Sequence, residues 1–136
     1  YRGLSGGVLL QQGNPHVVSI TPDVGRNFLL IELSGRPTAA EVTPAIAQLR
    51  EAIPRLRAPF DVISDVRGLE SLDGLPVAEA RRFGELLSKA RVRRVVRVVG
   101  RSSTAAIQME RIARELGHSA HLAFSREEAE GLLAQR

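Results

Sequence analysis

The sequence predicts an α/β domain: a mostly parallel sheet with an antiparallel N-terminal edge hairpin, flanked by about four helices. Three observations predict it. Two strand-like runs joined by a Pro-Asp-Val-Gly turn come first, amphipathic stretches then alternate with short β-branched runs, and two capping boxes mark helix starts. An α crossover returns the chain in the same direction, so the strands after the hairpin pair in parallel.

Residues 1–15 are rich in Gly, Gln and Pro without a sustained period, and read as a flexible arm or an edge segment with a short strand at Val8 to Leu10. A single domain is expected over 16–136. Its hairpin pairs His16–Thr21 with Asn27–Ser34 around the turn Pro22-Asp23-Val24-Gly25. Thr38-Ala39-Ala40-Glu41 is a capping box, and Val42, Ile46, Leu49 and Ile53 then form one apolar face up to Pro54. A strand over Phe60–Val66 is followed by a turn-rich loop through Gly68, Asp73, Gly74 and Pro76. The second helix is read from Phe83, Leu86, Leu87 and Ala90, with Pro76 near its first turn, where a missing amide costs little. Val92–Val99 is the most β-branched run, ended by Gly100. A third helix carries Ala105, Met109, Ile112, Ala113 and Leu116 on one face and stops at Gly117. A short strand at His121–Phe124 and a last helix, opened by the box Ser125-Arg126-Glu127-Glu128, complete the order β-β-α-β-α-β-α-β-α.

The 136 residues, 43% hydrophobic and 25% charged, suit one globular domain. No run approaches the ~18 apolar residues of a membrane helix. With no cysteine, disulfides, thiolate metal sites and cysteine nucleophiles are excluded, and with no leader pattern visible a cytoplasmic location is expected. The net charge of +4 rests on arginine, Lys89 being the one lysine, and one tyrosine with four phenylalanines offers little stacking surface. Nucleic acid is therefore not expected as a partner.

The sequence lacks a complete catalytic constellation. It has three histidines and no G-x-S-x-G turn. His118 and His121 flank a strand start with no third ligand nearby, so they read as turn residues rather than a metal site. Asp65 and Asp73 have no further acid or lysine at a telling spacing. No catalytic residue, cofactor or metal is expected. Arg97, set between Val95-Val96 and Val98-Val99, should be buried and needs a partner, for which Asp61 or Asp65 on the adjacent strand are the candidates. Together with Arg101, Ser102 and Ser103 in the turn after Gly100, it is also a candidate anion-binding group. Plain N-capping by Ser103 or Thr104 is the simpler reading of that turn.

The run Asp65-Val66-Arg67-Gly68-Leu69-Glu70-Ser71-Leu72-Asp73-Gly74 resembles the signature D-L-S-G-V-x-x-I-D-S of the STAS family, the anti-sigma-factor antagonists and sulphate-transporter tails. Leu33-Ser34-Gly35-Arg36 is similar to that family's L-S-G-R strand exit. Leu116 and Gly117, then Leu122-Ala123-Phe124-Ser125 and Glu128-Ala129, are similar to its ending. The likeness spans about residues 16–134 and implies a STAS-like fold that docks a regulatory protein, such as a kinase-like anti-sigma factor, through Asp65, Arg67, Asp73 and Gly74. Self-association as a homodimer is left open. In switching members of the family a serine or threonine follows the second aspartate and is phosphorylated; here that residue is Gly74. The departure resembles the divergent SpoIIAA-like branch, and implies a non-catalytic interaction module without the phosphoswitch. A small-molecule or lipid-binding domain, with Arg97 or Arg101 meeting an anionic head group between sheet and helices, is the alternative.

Overall fold

Strands β1 (Val17–Asp23) and β2 (Phe28–Gly35) form the expected hairpin, with Val17 opposite Ser34 and Asp23 opposite Phe28. The computed structural model describes residues 17–100, 107–108, 110–111, 114–115 and 120–135. The arm over 1–15 and the turn residues Arg101, Ser102 and Ser103 lie outside them. β1 continues through Pro22, tolerable because an edge strand has one unladdered side, so the turn is 24–27 instead of 22–25. At its end Asn27 adopts a left-handed φ of 60°. Its side chain donates to the Arg57 carbonyl and accepts from the Arg57 amide, both at 2.8 Å, which ties the hairpin to the chain leading into the next strand.

Helix α1 (Ala39–Ala52) starts where the capping residues predict. The backbone amide and hydroxyl of Thr38 donate to Glu41 Oε1 at 2.8 and 3.0 Å, which satisfies an amide the helix itself cannot reach. A 3₁₀ turn over Ile53–Arg55, holding Pro54, ends it. Then come β3 (Phe60–Leu69), α2 (Val77–Lys89), β4 (Val92–Val98), β5 (His121–Ala123) and α3 (Arg126–Ala134). At the start of α3 the Ser125 hydroxyl accepts the Glu128 amide at 3.0 Å. The Glu128 carboxylate accepts the Phe124 amide at 2.9 Å, one residue earlier than a capping box requires.

Three helices are delimited, against about four expected. The predicted third helix falls largely outside the described residues, although 107–108, 110–111 and 114–115 have helical backbone. The sheet order is β1-β2-β3-β4-β5, with β1 antiparallel to β2 and every other pair parallel.

Alternation of side chains across the sheet makes two cores. Phe28, Leu30, Ile63, Val96 and Val98 pack under α3 with Ala129. Leu29, Ile31, Phe60 and Val62 pack under α1 with Leu49 and Ala52, and half-buried Phe83, Leu86 and Leu87 of α2 cover the rest. Each fully buried large side chain here contributes about 1.5–3 kcal/mol of transfer free energy. The helices on this second face differ. α1 buries Val42, Ala45, Ile46, Leu49 and Ala52, whereas no residue of α2 is fully buried.

Candidate functional site

The carboxyl ends of β2, β3 and β4 lie side by side, which is where open α/β sheets usually form sites. Glycines make this approach close. A Cβ on Gly68 would stand 3.0 Å from the Ser34 Cβ, and one on Gly100 would stand 3.1 Å from the Arg67 carbonyl oxygen. The ladder between β2 and β3 shifts register between Glu32 and Ser34, which brings Ser34 opposite Gly68.

Asp65 and Arg67 are brought together, but onto each other. Spaced two apart on β3 they share the α3 face, and the guanidinium forks onto the carboxylate: Nε to Oδ1 at 3.0 Å and Nη2 to Oδ2 at 2.7 Å, with the Arg67 amide donating to Oδ1 at 3.2 Å. Arg126, in the first turn of α3, adds a cation 3.8 Å from Asp65 Oδ2 and 3.6 Å from Glu32 Oε2. Burial pushes the Asp65 carboxyl up, yet the hydrogen bonds from Arg67, with the charges of Arg67 and Arg126, outweigh it and hold the group below its ordinary value. A buried carboxylate with this many donors is a finished ion pair. Asp65 is part of the frame, and Arg67 presents the partly exposed edge of that frame.

Asp73 and Gly74 are exposed in the loop before α2. The loop is built by Ser71, whose buried hydroxyl accepts the Asp73 amide at 3.0 Å, and by Gln108, which accepts the Leu72 amide at 3.0 Å and donates to Asp73 Oδ1 at 2.8 Å. Gln108 is a residue the sequence reading missed. It lies thirty-five positions from Asp73 and no local spacing signals it. Gly74 is not demanded by the backbone, since a Cβ there would meet only the Pro37 carbonyl oxygen, at 3.9 Å. Beside it Val77, in the first turn of α2, is 61% exposed.

Arg97 corrects the expected pairing. Its position in β4 is opposite Ser64, on the face of α1 and α2, whereas Asp65 lies opposite Val98 and turns to α3. Asp61 is already held by Arg93, at 3.0 and 2.7 Å, with Arg94 Nε 3.6 Å away, and Asp65 by Arg67. The partner of Arg97 is Glu110, which accepts from Nη1 at 3.1 Å. The Arg97 Nε is buried with no hydrogen-bond partner among the described residues, as are those of Arg94 and Arg126. Burial lowers the Arg97 pKa and the Glu110 charge only partly restores it.

Arg97 lines an apolar cleft of about 140 Å³ between the sheet and the two helices. Ile31, Val42, Val62, Phe83 and Leu87 form much of its wall, and Ser64 and Arg97 are the only polar side chains among the described residues lining it. Arg97 also borders a second, more polar cavity of about 440 Å³ with Glu110, Arg111 and Arg114. Among the described residues there is no group of three or more His, Asp or Glu placed to hold a metal ion, and no helix is long and apolar enough to cross a membrane.

No family model matches the sequence, and no curated protein matches it. Among solved structures, the chain is similar to an uncharacterized protein of the DUF3478 family with a SpoIIAA-like fold from Shewanella loihica PV-4. The TM-score is 0.66 at 18% identity, covering 91% of this chain and 99% of the other. An identity this low speaks to architecture alone. The mixed sheet with its antiparallel edge pair and helices packed on both faces is that of a SpoIIAA-like fold, the architecture that the STAS-like motifs imply.

Proposed function

We propose that this chain is a non-catalytic binding domain for a small molecule with an apolar body, held in the cleft between the sheet and helices α1 and α2. One observation carries the reading: the cleft is apolar throughout except for Ser64 and the buried, incompletely partnered Arg97. Such a pocket, apolar with a few convergent polar groups, is what small-molecule sites look like. The incomplete burial of α2 supports it, because a helix that closes its sheet loosely leaves room for a guest. The test is to fill the room. Ala80→Leu places a larger side chain in the cleft wall. It is expected to abolish binding of small apolar compounds in calorimetric titration while the chain stays folded by circular dichroism; undiminished binding would refute the reading.

The second reading is a constitutive docking surface for a regulatory protein of the anti-sigma type. The observation favouring it is the exposed group Asp73, Gly74 and Val77 at the start of α2. It needs no phosphorylation, because Gly74 offers no hydroxyl. Val77→Glu is expected to weaken a purified partner's affinity by about tenfold or more, as loss of a central apolar contact does. An unchanged dissociation constant in surface plasmon resonance would sink it.

A further inference from the structure

Resting on the ligand-binding reading, we infer that the occupant of the cleft is a monocarboxylate with an apolar part about the size of a benzene ring, and that its carboxylate takes Arg97 over from Glu110. Size comes first. An apolar cavity of about 150 Å³ admits benzene, and this cleft measures about 140 Å³. A ring or a chain of about six carbons fills it.

Charge comes second. Arg97 is the cation among the described residues lining the cleft, and no acid lines it. Glu110 stands on the far side of Arg97, in the more polar cavity. A ligand anion thus meets an arginine from the side opposite the one its present partner occupies. A phosphate group presents three strong acceptor oxygens and up to two charges, whereas this cleft offers one guanidinium and one hydroxyl. A carboxylate matches that supply.

The third argument is the incompleteness of the pair. Among the described residues Glu110 accepts from Arg97 Nη1 and Nε–H stays buried without an acceptor, and a buried donor left so is costly. A ligand carboxylate engages two parallel N–H groups where Glu110 engages one, as the guanidinium turns from Glu110 toward the cleft. Glu110 is released cheaply. Its side chain is 42% exposed, and Arg114 stands one helical turn on, 3.9 Å away, to receive it. One carboxylate replaces another, and the gain is a second charge-assisted hydrogen bond plus the apolar surface removed from water.

The experiment is calorimetric titration of the full chain with phenylacetate, benzyl alcohol, phenyl phosphate and palmitate, repeated on Glu110→Gln. Phenylacetate is expected to bind about tenfold or more tighter than benzyl alcohol, the difference one charged hydrogen-bonding anchor makes, and tighter than phenyl phosphate or palmitate. Glu110→Gln removes the competing charge, so it is expected to tighten phenylacetate several-fold and leave benzyl alcohol unchanged. Equal affinity for the acid and the alcohol, preference for the phosphate or the long chain, or weaker phenylacetate binding in Glu110→Gln, would each overturn the inference while the cleft reading stands. Failure of every compound, benzyl alcohol included, would overturn both.

Discussion

Two arginines on one sheet, on strands that lie side by side, are paired to different ends: Arg67 is half exposed and Arg97 is buried. On the α3 face Arg67 forks onto Asp65, and the carboxylate also takes the Arg67 amide and the nearby charge of Arg126. On the α1 and α2 face Arg97 has, among the described residues, one hydrogen bond to a half-exposed glutamate and an Nε without a partner, beside an apolar cleft. In the first arrangement the buried carboxylate is fully engaged. The second holds its charge in a costly state that a ligand can relieve. On the proposed reading, the half-exposed, fully forked arginine belongs to the frame, and the buried, incompletely paired one is the group a ligand would meet.

The largest expected effect comes from breaking the finished pair. Arg67→Ala leaves the Asp65 carboxylate buried with Arg126 at 3.8 Å as its nearest cation among the described residues, and for a pair with one half-exposed partner the loss is expected at about 2 kcal/mol, between the buried and the exposed cases. Chemical denaturation at pH 7 measures it, and a loss below about 1 kcal/mol would erase the contrast. A smaller effect of the opposite sign is expected on the other face. Arg97→Met replaces an incompletely satisfied guanidinium with a chain of similar length, leaves Glu110 free to solvent, and should leave the empty protein as stable or more stable by about 1 kcal/mol. A loss as large as that of Arg67→Ala would show that the two pairs are alike.

The smallest effect lies in the acid limb of stability. The folded-state pKa of Asp65 is below its ordinary value of 3.8, so on acidification the unfolded chain takes up this proton first. The stabilisation is fully present above the ordinary value and is lost as pH falls through the lower folded one. Asp65→Asn should therefore flatten part of the decline in denaturation midpoint below about pH 4. A slope identical to that of the unaltered chain would mean that the pair does not hold the proton off.

Much of the architecture is legible in the sequence because local signals agree with it. Thr38 and Glu41 begin α1, Pro54 stops it, Pro76 precedes α2, and the β-branched run at Val92 is β4. The strand around Asp65 is three residues longer than predicted, because Gly68 reads as a turn residue although it is a glycine of close contact, with Ser34 against it. Of the candidate site, the burial of Arg97 is legible in the sequence and its pairing is not. Arg97 was recognised as a buried cation in need of a partner, but choosing that partner requires knowing which face Asp65 turns to, and a register shifted by one residue reverses the answer. Glu110 and Gln108 join the site from another segment of the chain, through contacts that no spacing encodes.

Gly74 has a consequence for how freely this surface can change. Gly68 and Gly100 are walled in by neighbouring atoms, so any side chain there strains the sheet ends. Gly74 stands in the open, with ordinary backbone and nothing closer than 3.9 Å to a would-be Cβ. One codon change to serine would put a hydroxyl on the surface without disturbing the frame beneath it. The frame therefore leaves this position free: what stands there can change while the rest of the molecule stays as it is.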